Sequence, residues 1–341
     1  MTIKQRKKDH VDLTVSGDTS YGQSTGFDRY YFRHNALPEV DYHDIDTRTM
    51  FLGREFSFPL FISSMTGGYT DAGAVNAIIA EFCQDKNLPF GVGSQRIMLE
   101  QKDAASSFSI VREKAPDAFI ASNIGGQQLI GGLSDEHFDL MVDSIKADAI
   151  IVHLNPLQEL MQPEGDRKFK GITEGIKKLV AQASVPVIVK ETGAGITGDV
   201  AKRLLEVGVS VIDLSGAGGT SWSKVENIRP SNEEPKDIFN DWGVPTLQCL
   251  QEVSALKRSQ DFEIIASGGI RDGLDIAKAL CLGADYTASA QPIIQAVVNE
   301  GKEGLETLYQ KWVKQLKITL CLTGCERVDE LSRRHLCQKD S

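Results

Sequence analysis

The sequence predicts an α/β chain folded as a (β/α)8 TIM barrel, with an N-terminal extension and a long loop after strand six. Three observations carry this. A short apolar run followed by a segment with helical periodicity recurs eight times. Most runs are continuous and rich in Val, Ile and Phe, as parallel strands buried on both faces are. The carboxyl ends of the runs are polar and rich in glycine, while the opposite ends carry Pro59, Pro89 and Pro186. That asymmetry is expected of a barrel whose active site is built from strand ends and the loops that follow them.

The runs predict strands over 59–65, 88–94, 118–123, 148–155, 186–192, 209–216, 262–269 and 285–290. Between them the periodicity predicts helices over 74–86, 103–114, 135–146, 171–183, 198–207, 245–258 and 273–282, with closing helices in 291–320. Strict alternation implies right-handed crossovers and a parallel sheet, and eight repeats favour closure over an open, doubly wound sheet. Residues 1–57 are polar and turn-rich and form an extension; residues 58–341 form the barrel. The stretch 220–243 is long for a loop and acidic, with Pro230 and Pro235. It reads as a lid or a subunit contact.

Composition narrows the function. The chain has 341 residues, 41% hydrophobic, enough for one barrel of ~250 residues with additions. No apolar run reaches the ~20 residues of a membrane span, and the charged start is unlike a secretory signal, so a cytoplasmic protein is expected. Six cysteines lack CxxC spacing and sit mostly in apolar helical stretches, as in a reducing compartment. The net charge of -10 argues against a nucleic-acid partner, so any anionic ligand must be held by a local cationic cluster.

Two such places stand out. Ser215-Gly216-Ala217-Gly218-Gly219-Thr220 follows strand six, Ser267-Gly268-Gly269-Ile270-Arg271 follows strand seven, and Ala288-Ser289-Ala290 closes strand eight. Glycines let backbone N–H groups approach a phosphate, and a short helix N-terminus there adds a favourable dipole. The alternative is that these glycines only make tight barrel turns. Lys190, at the end of strand five, falls in the mouth, where a buried lysine needs an anionic partner or a lowered pKa. Beside a flavin it would stabilise negative charge on the reduced ring; otherwise it snorkels to solvent. Asn123 and Ser94 suit hydrogen bonds to a ring edge or simple turn capping.

On the other side lies His153-Leu154-Asn155-Pro156-Leu157-Gln158-Glu159. One carboxylate beside amide oxygens is no transition-metal cage but suits Mg2+, which keeps its waters and binds through substrate phosphates. Alternatively, Glu159 merely begins a helix, where acidic residues are favoured. Arg6-Lys7-Lys8-Asp9-His10 is a basic cluster on a flexible arm, either a solvated tail or an arm that folds over the mouth to clamp a diphosphate. Arg96, emerging from strand two, is a cation better placed on the catalytic face.

Over essentially its full length the chain resembles the type 2 isopentenyl-diphosphate delta-isomerases, which are FMN-dependent barrels. The residues that carry the likeness are Arg6-Lys7-x-Asp9-His10, Ser64-Met65-Thr66-Gly67-Gly68, Gly93-Ser94-Gln95-Arg96, Ser122-Asn123-Ile124-Gly125, the His153–Glu159 heptad, Lys190-Glu191, Ser215-Gly216-x-Gly218-Gly219-Thr220-Ser221-Trp222 and Gly268-Gly269-Ile270-Arg271. The heptad and the amino-terminal cluster are specific to that family, whereas the glycine loops are shared by many FMN barrels. The resemblance implies FMN contacts from Ser64, Met65, Thr66, Ser94, Asn123, Lys190, Ser215, Thr220, Gly269, Ile270, Arg271, Ala290 and Gln291. It implies diphosphate contacts from Arg6, Lys7, Ser94, Arg96 and Gln158, Mg2+ ligation by Glu159, and His153 and Asn155 in the same pocket. It also implies a homo-oligomer, a tetramer or octamer. Thr192 stands where Val is expected, and Ala217 within the strand-six loop is a second small departure.

The implied reaction interconverts isopentenyl and dimethylallyl diphosphate in isoprenoid biosynthesis. Alkenes are poor bases, so a strong acid and a stabilised cationic transition state are needed. Reduced FMN acting through N5 is one candidate, with NADPH as the reductant; Gln158 as a proton relay is another. Redox FMN barrels are the main rivals. A hydroxy-acid oxidase should have a late catalytic histidine beside a Gly-Gly-Arg loop, yet beyond strand four only His335 occurs. An IMP dehydrogenase-like reaction needs a cysteine in the loop after strand six, and residues 215–243 contain none. A non-catalytic phosphate sensor would leave Glu159 and Arg96 surplus.

Overall fold

Apolar runs buried on both faces need helices outside and packed side chains within, and closure of the sheet supplies both. The computed structural model describes residues 3–68, 70–229, 232 and 237–339. In it eight parallel strands form a closed barrel: β1 (Leu60–Ile62), β2 (Phe90–Gly91), β3 (Ile120–Gly125), β4 (Ala149–Leu154), β5 (Val187–Glu191), β6 (Val211–Asp213), β7 (Glu263–Ala266) and β8 (Tyr286–Ser289). Each pairs with its sequence neighbour, and β8 returns to β1 through Ala288 opposite Phe61. The fold is the predicted (β/α)8 barrel.

Most paired strands are shorter than the predicted runs, because the chain peels from the sheet at the mouth. β6 ends at Asp213, and two residues on Ser215 adopts φ 42°, the left-handed region. The main outer helices are Thr70–Lys86, Ser106–Lys114, Asp135–Asp143, Ile172–Gln182, Gly198–Glu206, Thr246–Ser254, Gly273–Cys281 and Gln291–Thr323. Ser134 and Asp272 accept backbone N–H groups as N-caps. The helix predicted from 103 begins later because residues Lys102–Ala105 form a tighter 3-10 turn. The closing helix is broken at Gly301 (φ 62°, ψ -142°), so it is two helices joined at a kink.

Alternation sorts side chains between two cores. Outward-facing residues such as Ile62, Phe90, Val152 and Ile264 pack against the helices. Inward-facing Phe61, Phe119, Ala121, Ala149, Ile151, Ile188, Val211, Ile265 and Tyr286 fill the barrel. The extension seals the bottom: strands Thr49–Phe51 and Arg54–Phe56 pair as a hairpin. Its Phe51 stacks on Tyr286 at 4.7 Å, and Phe56 meets Phe119 edge-on at 5.9 Å. The strand Tyr30–Phe32 pairs with Leu336–Gln338, tying both terminal segments together.

The flexible arm expected at the amino terminus is instead a helix, Ile3–Ser16. Gln291 and Gln295 of the closing helix donate to the carbonyls of Thr14 and Val15, which pins its end. Within the loop 220–243, residues Trp222–Asn227 form a short helix and Asp237–Phe239 a 3-10 turn. Pro230 and Pro235 lie outside the described residues. The described part is bonded to the extension, with Ser221 N–H donating to Thr19 O and Tyr21 N–H to Gly219 O. Among the described residues no helix is long and apolar enough to cross a membrane. All six cysteines are free thiols.

Candidate active site

A cavity of about 260 Å³ opens at the carboxyl ends of the strands, roofed on one side by the amino-terminal helix. Every site residue nominated from the sequence lines it: Arg6 and Lys7; Ser64, Met65 and Thr66; Ser94 and Arg96; Asn123; His153, Asn155, Gln158 and Glu159; Lys190; Ser215 and Thr220; Gly269, Ile270 and Arg271; Ala290 and Gln291. The barrel brings together residues spread over the whole chain.

The wall after β6 and β7 is made of backbone. A Cβ on Gly268 would lie 2.0 Å from Gly216 O, and one on Gly219 would lie 2.5 Å from Gly269 N. Gly268 also has φ +93°, so glycine is required there twice over. The closing helix starts beside this wall, with Gln291, Pro292 and Ile294 lining the cavity. Across it the hydroxyls of Ser64 and Thr66 are buried and find no hydrogen-bond partner among the described residues. Orphaned buried hydroxyls are costly unless a ligand bonds them. A glycine cradle at a helix start, with unsatisfied hydroxyls opposite, fits a phosphate-bearing planar cofactor such as FMN.

The opposite rim is made of side chains. Arg6, Lys7, His10, Val11 and Thr14 line the cavity, and their spacing is one face of a helix. Lys7 Nζ donates to Gly67 O at 2.7 Å and Ser94 O at 2.9 Å. Burial, reinforced by neighbouring Arg6, lowers its pKa to about 7. Arg96 is partly committed to Glu100 at 2.9 Å. Asn155 Nδ2 donates to Gln158 Oε1 and Glu159 Oε1, and Asp166 N–H donates to Glu159 Oε2 at 2.6 Å. Glu159 is thus oriented but remains a single carboxylate, and no group of three or more His, Cys, Asp or Glu suited to a metal occurs among the described residues. One carboxylate fits Mg2+ held mainly through substrate phosphate.

Sequence reasoning missed the hub of this rim. Glu226, fully buried, lies 2.8 Å from His10 Nε2, pairs with Arg229 and accepts from Gln158 Nε2 at 3.2 Å. With its amide turned to suit, Gln162 accepts from Arg6 Nη1 at 2.7 Å and donates to Glu226 at 3.3 Å. Burial pushes the Glu226 carboxyl up, but His10 and Arg229 outweigh it and hold it below the usual range. It stays ionised and anchors its neighbours. Trp222 meets His10 edge-on at 5.1 Å. The 6/7/10/11/14 spacing was a usable signal for the helix, whereas nothing local marks Glu226.

The floor between the two walls is polar. His153 Nδ1 is 2.7 Å from Asn123 Oδ1, which can only accept, so the ring proton sits on Nδ1 and Nε2 is a lone-pair acceptor. Burial, then Lys190 and Lys7, lowers the His153 pKa to about 3. Lys190 is 7% exposed. His335 belongs to the carboxyl-terminal segment, near Cys325, and does not line the cavity.

The FMN-dependent dehydrogenase family matches residues 11–133 and 153–338, which defines the class. Flavocytochrome b2 (Arg289Lys mutant) shares the fold at TM-score 0.70 and 18% identity, over 96% of this chain and 82% of its own. (S)-mandelate dehydrogenase does so at 0.69 and 16%, over 98% and 99%. Much nearer in sequence is the isopentenyl-diphosphate delta-isomerase of Chlorobium luteolum, 46% identical over 96% of this chain and 94% of its own. That of Nostoc sp. (strain PCC 7120) is 41% identical over 98% and 96%. The chain belongs to this isomerase family within the FMN-dependent class.

Proposed function

We propose that this protein interconverts isopentenyl diphosphate and dimethylallyl diphosphate, with FMN on the glycine wall and Mg2+ on Glu159. The observation that carries it is the opposed pair of walls in one cavity: a backbone cradle after β6 and β7, and a cationic rim of Arg6, Lys7 and Arg96. Two anion-binding walls call for two phosphate-bearing ligands, cofactor and substrate. Family relatives bearing the isomerase name support the reaction.

Ser64, Met65, Thr66, Asn123, Lys190, Ser215, Thr220, Gly269, Ile270, Arg271, Ala290 and Gln291 would hold FMN, with Ser94 between the two ligands. Reduced FMN supplies an electron-rich ring and a nitrogen able to give and take a proton. Arg6, Lys7, Arg96 and Gln158 would bind the diphosphate and so hold the alkene within the cavity. His153, neutral at working pH, can accept a hydrogen bond but cannot be the acid. Asn155 orients Gln158 and Glu159, and Glu226 holds Gln158 from its other side. In this reading NADPH keeps the flavin reduced and the enzyme is a cytoplasmic homo-oligomer, for which exposed Ile238 and Trp242 offer apolar contact area. The test is direct. Purified protein should be yellow, bleach with NADPH, and then form dimethylallyl diphosphate in the presence of Mg2+. Full-rate turnover by oxidised protein kept from any reductant would refute the flavin's role.

A further inference from the structure

The barrel floor carries a charge that the site described so far does not use. Along each strand, the position two beyond an inward apolar residue is also inward. At the mouth this gives His153 after Ile151, Lys190 after Ile188, Asp213 after Val211 and Ser267 after Ile265. The sheet register sets His153 beside Lys190 and Lys190 beside Asp213. His153 and Lys190 line the cavity. Asp213 is only 3% exposed and lies behind the lining.

A carboxylate in that position needs partners, and it has a chain of them. Asp213 Oδ2 is 3.9 Å from Lys190 Nζ, which donates to Glu191 O at 2.6 Å. Its Oδ1 accepts from Ser267 Oγ. Ser267 Oγ in turn accepts from Ser215 N–H at 3.0 Å. Ser215 has a side chain yet sits at φ 42°, a conformation that costs backbone energy and turns its N–H onto this chain. Burial raises the Asp213 carboxyl above its ordinary range, with Lys190 first among the groups that hold it back.

We propose that Asp213, steadied by Ser267 and Ser215 N–H, is a positioning residue that fixes the place and effective charge of Lys190, and thereby sets the reduction potential of the bound flavin. This rests on the flavin reading above. An ammonium at the cavity floor favours a negatively charged reduced ring, and the carboxylate behind it opposes that effect. Asp213 does not line the cavity whereas Lys190 does, so its influence on a bound ring would run through Lys190.

The experiment is a double-mutant cycle read by the midpoint potential of the FMN-loaded protein, with Asp213→Asn and Lys190→Met singly and together. Asp213→Asn should raise the potential, by at least tenfold in the oxidised-to-reduced equilibrium, or about 30 mV for a two-electron couple. In the Lys190→Met background the same change should have little effect. An unchanged potential in Asp213→Asn, or an equal shift without Lys190, overturns the proposal. If Asp213→Asn fails to fold or to load flavin, Ser267→Ala decides instead. A smaller shift of the same sign supports the proposal, and none overturns it. Failure of the wild-type protein to take up FMN would sink both this proposal and the functional reading, and is seen before any variant is made.

Discussion

The two walls of the cavity are built on opposite plans. After β6 and β7 the wall is backbone packed on backbone, with Gly216, Gly218, Gly219, Gly268 and Gly269 in mutual contact and no room for a Cβ at Gly268 or Gly219. The facing rim consists of long side chains held by one another: Arg6 by Gln162, Gln162 and Gln158 by Glu226, His10 by Glu226. On the proposed reading the backbone wall, fixed by sterics, would recognise a feature shared by every molecule of one cofactor. The side-chain rim, fixed by polar and ionic contacts, would recognise a particular anion. Its sensitivity to pH and salt should therefore be greater.

The comparison can be broken at its strongest point first. Gly268→Ala should cost roughly 3 kcal/mol or more of stability and abolish flavin retention, because a left-handed φ and a backbone clash coincide. Thermal melts and bound flavin absorbance report it; a yellow protein of normal stability would refute the steric account. On the rim, Glu226→Gln should spare flavin but weaken binding of inorganic diphosphate at least tenfold, and cost about 1–3 kcal/mol of stability. The Glu226 carboxyl is depressed in the folded state, so its stabilisation is complete above the ordinary carboxylate pKa. It is lost as pH falls below that range. The acid limb of the wild-type stability curve should be shallower in the variant.

Lys7 provides a smaller and sharper test. With a pKa of about 7 it is mostly neutral near pH 8, and a bound diphosphate should draw a proton onto it. Calorimetry in buffers of different ionisation enthalpy should show proton uptake with wild type at pH 8 and none with Lys7→Arg. The smallest effect on activity is expected at His153. Its folded pKa of about 3 lies below the unfolded value, so the unfolded chain binds more protons between the two. Stability then falls as pH drops from 6.5, by about 2 kcal/mol at pH 5 from this group. His153→Gln should flatten that slope and leave the activity profile from pH 6 to 8 unchanged in shape.

Much of this was legible in the sequence, for a physical reason. Eight doubly buried strands leave continuous apolar runs, and the polar residue that ends each run is where the mouth must be. His153, Lys190 and Asn123 could therefore be placed from the pattern alone. The amino-terminal helix was less legible because its inward face is mostly polar: Arg6, Lys7 and His10 are held there by an amide, two carbonyls and the Glu226 carboxylate. Glu226 and Arg229 were invisible for a related reason. They lie in the loop after β6, and their partners, His10, Gln158 and Glu164, come from other elements whose proximity only the closed barrel creates. Asp213 was in plain view two residues after Val211, but its role depends on register with Lys190.

The phenylalanine hairpin under the barrel has a consequence for traffic. With Phe51 and Phe56 stoppering the far end against Phe61, Phe119 and Tyr286, the cavity among the described residues opens at the strands' carboxyl ends, beside the amino-terminal helix. Whatever rests deepest there must load first and leave last. On the proposed reading the cofactor would be the long-stay resident and the diphosphate the visitor, each passing the helix Ile3–Ser16, which is pinned at its end to the closing helix.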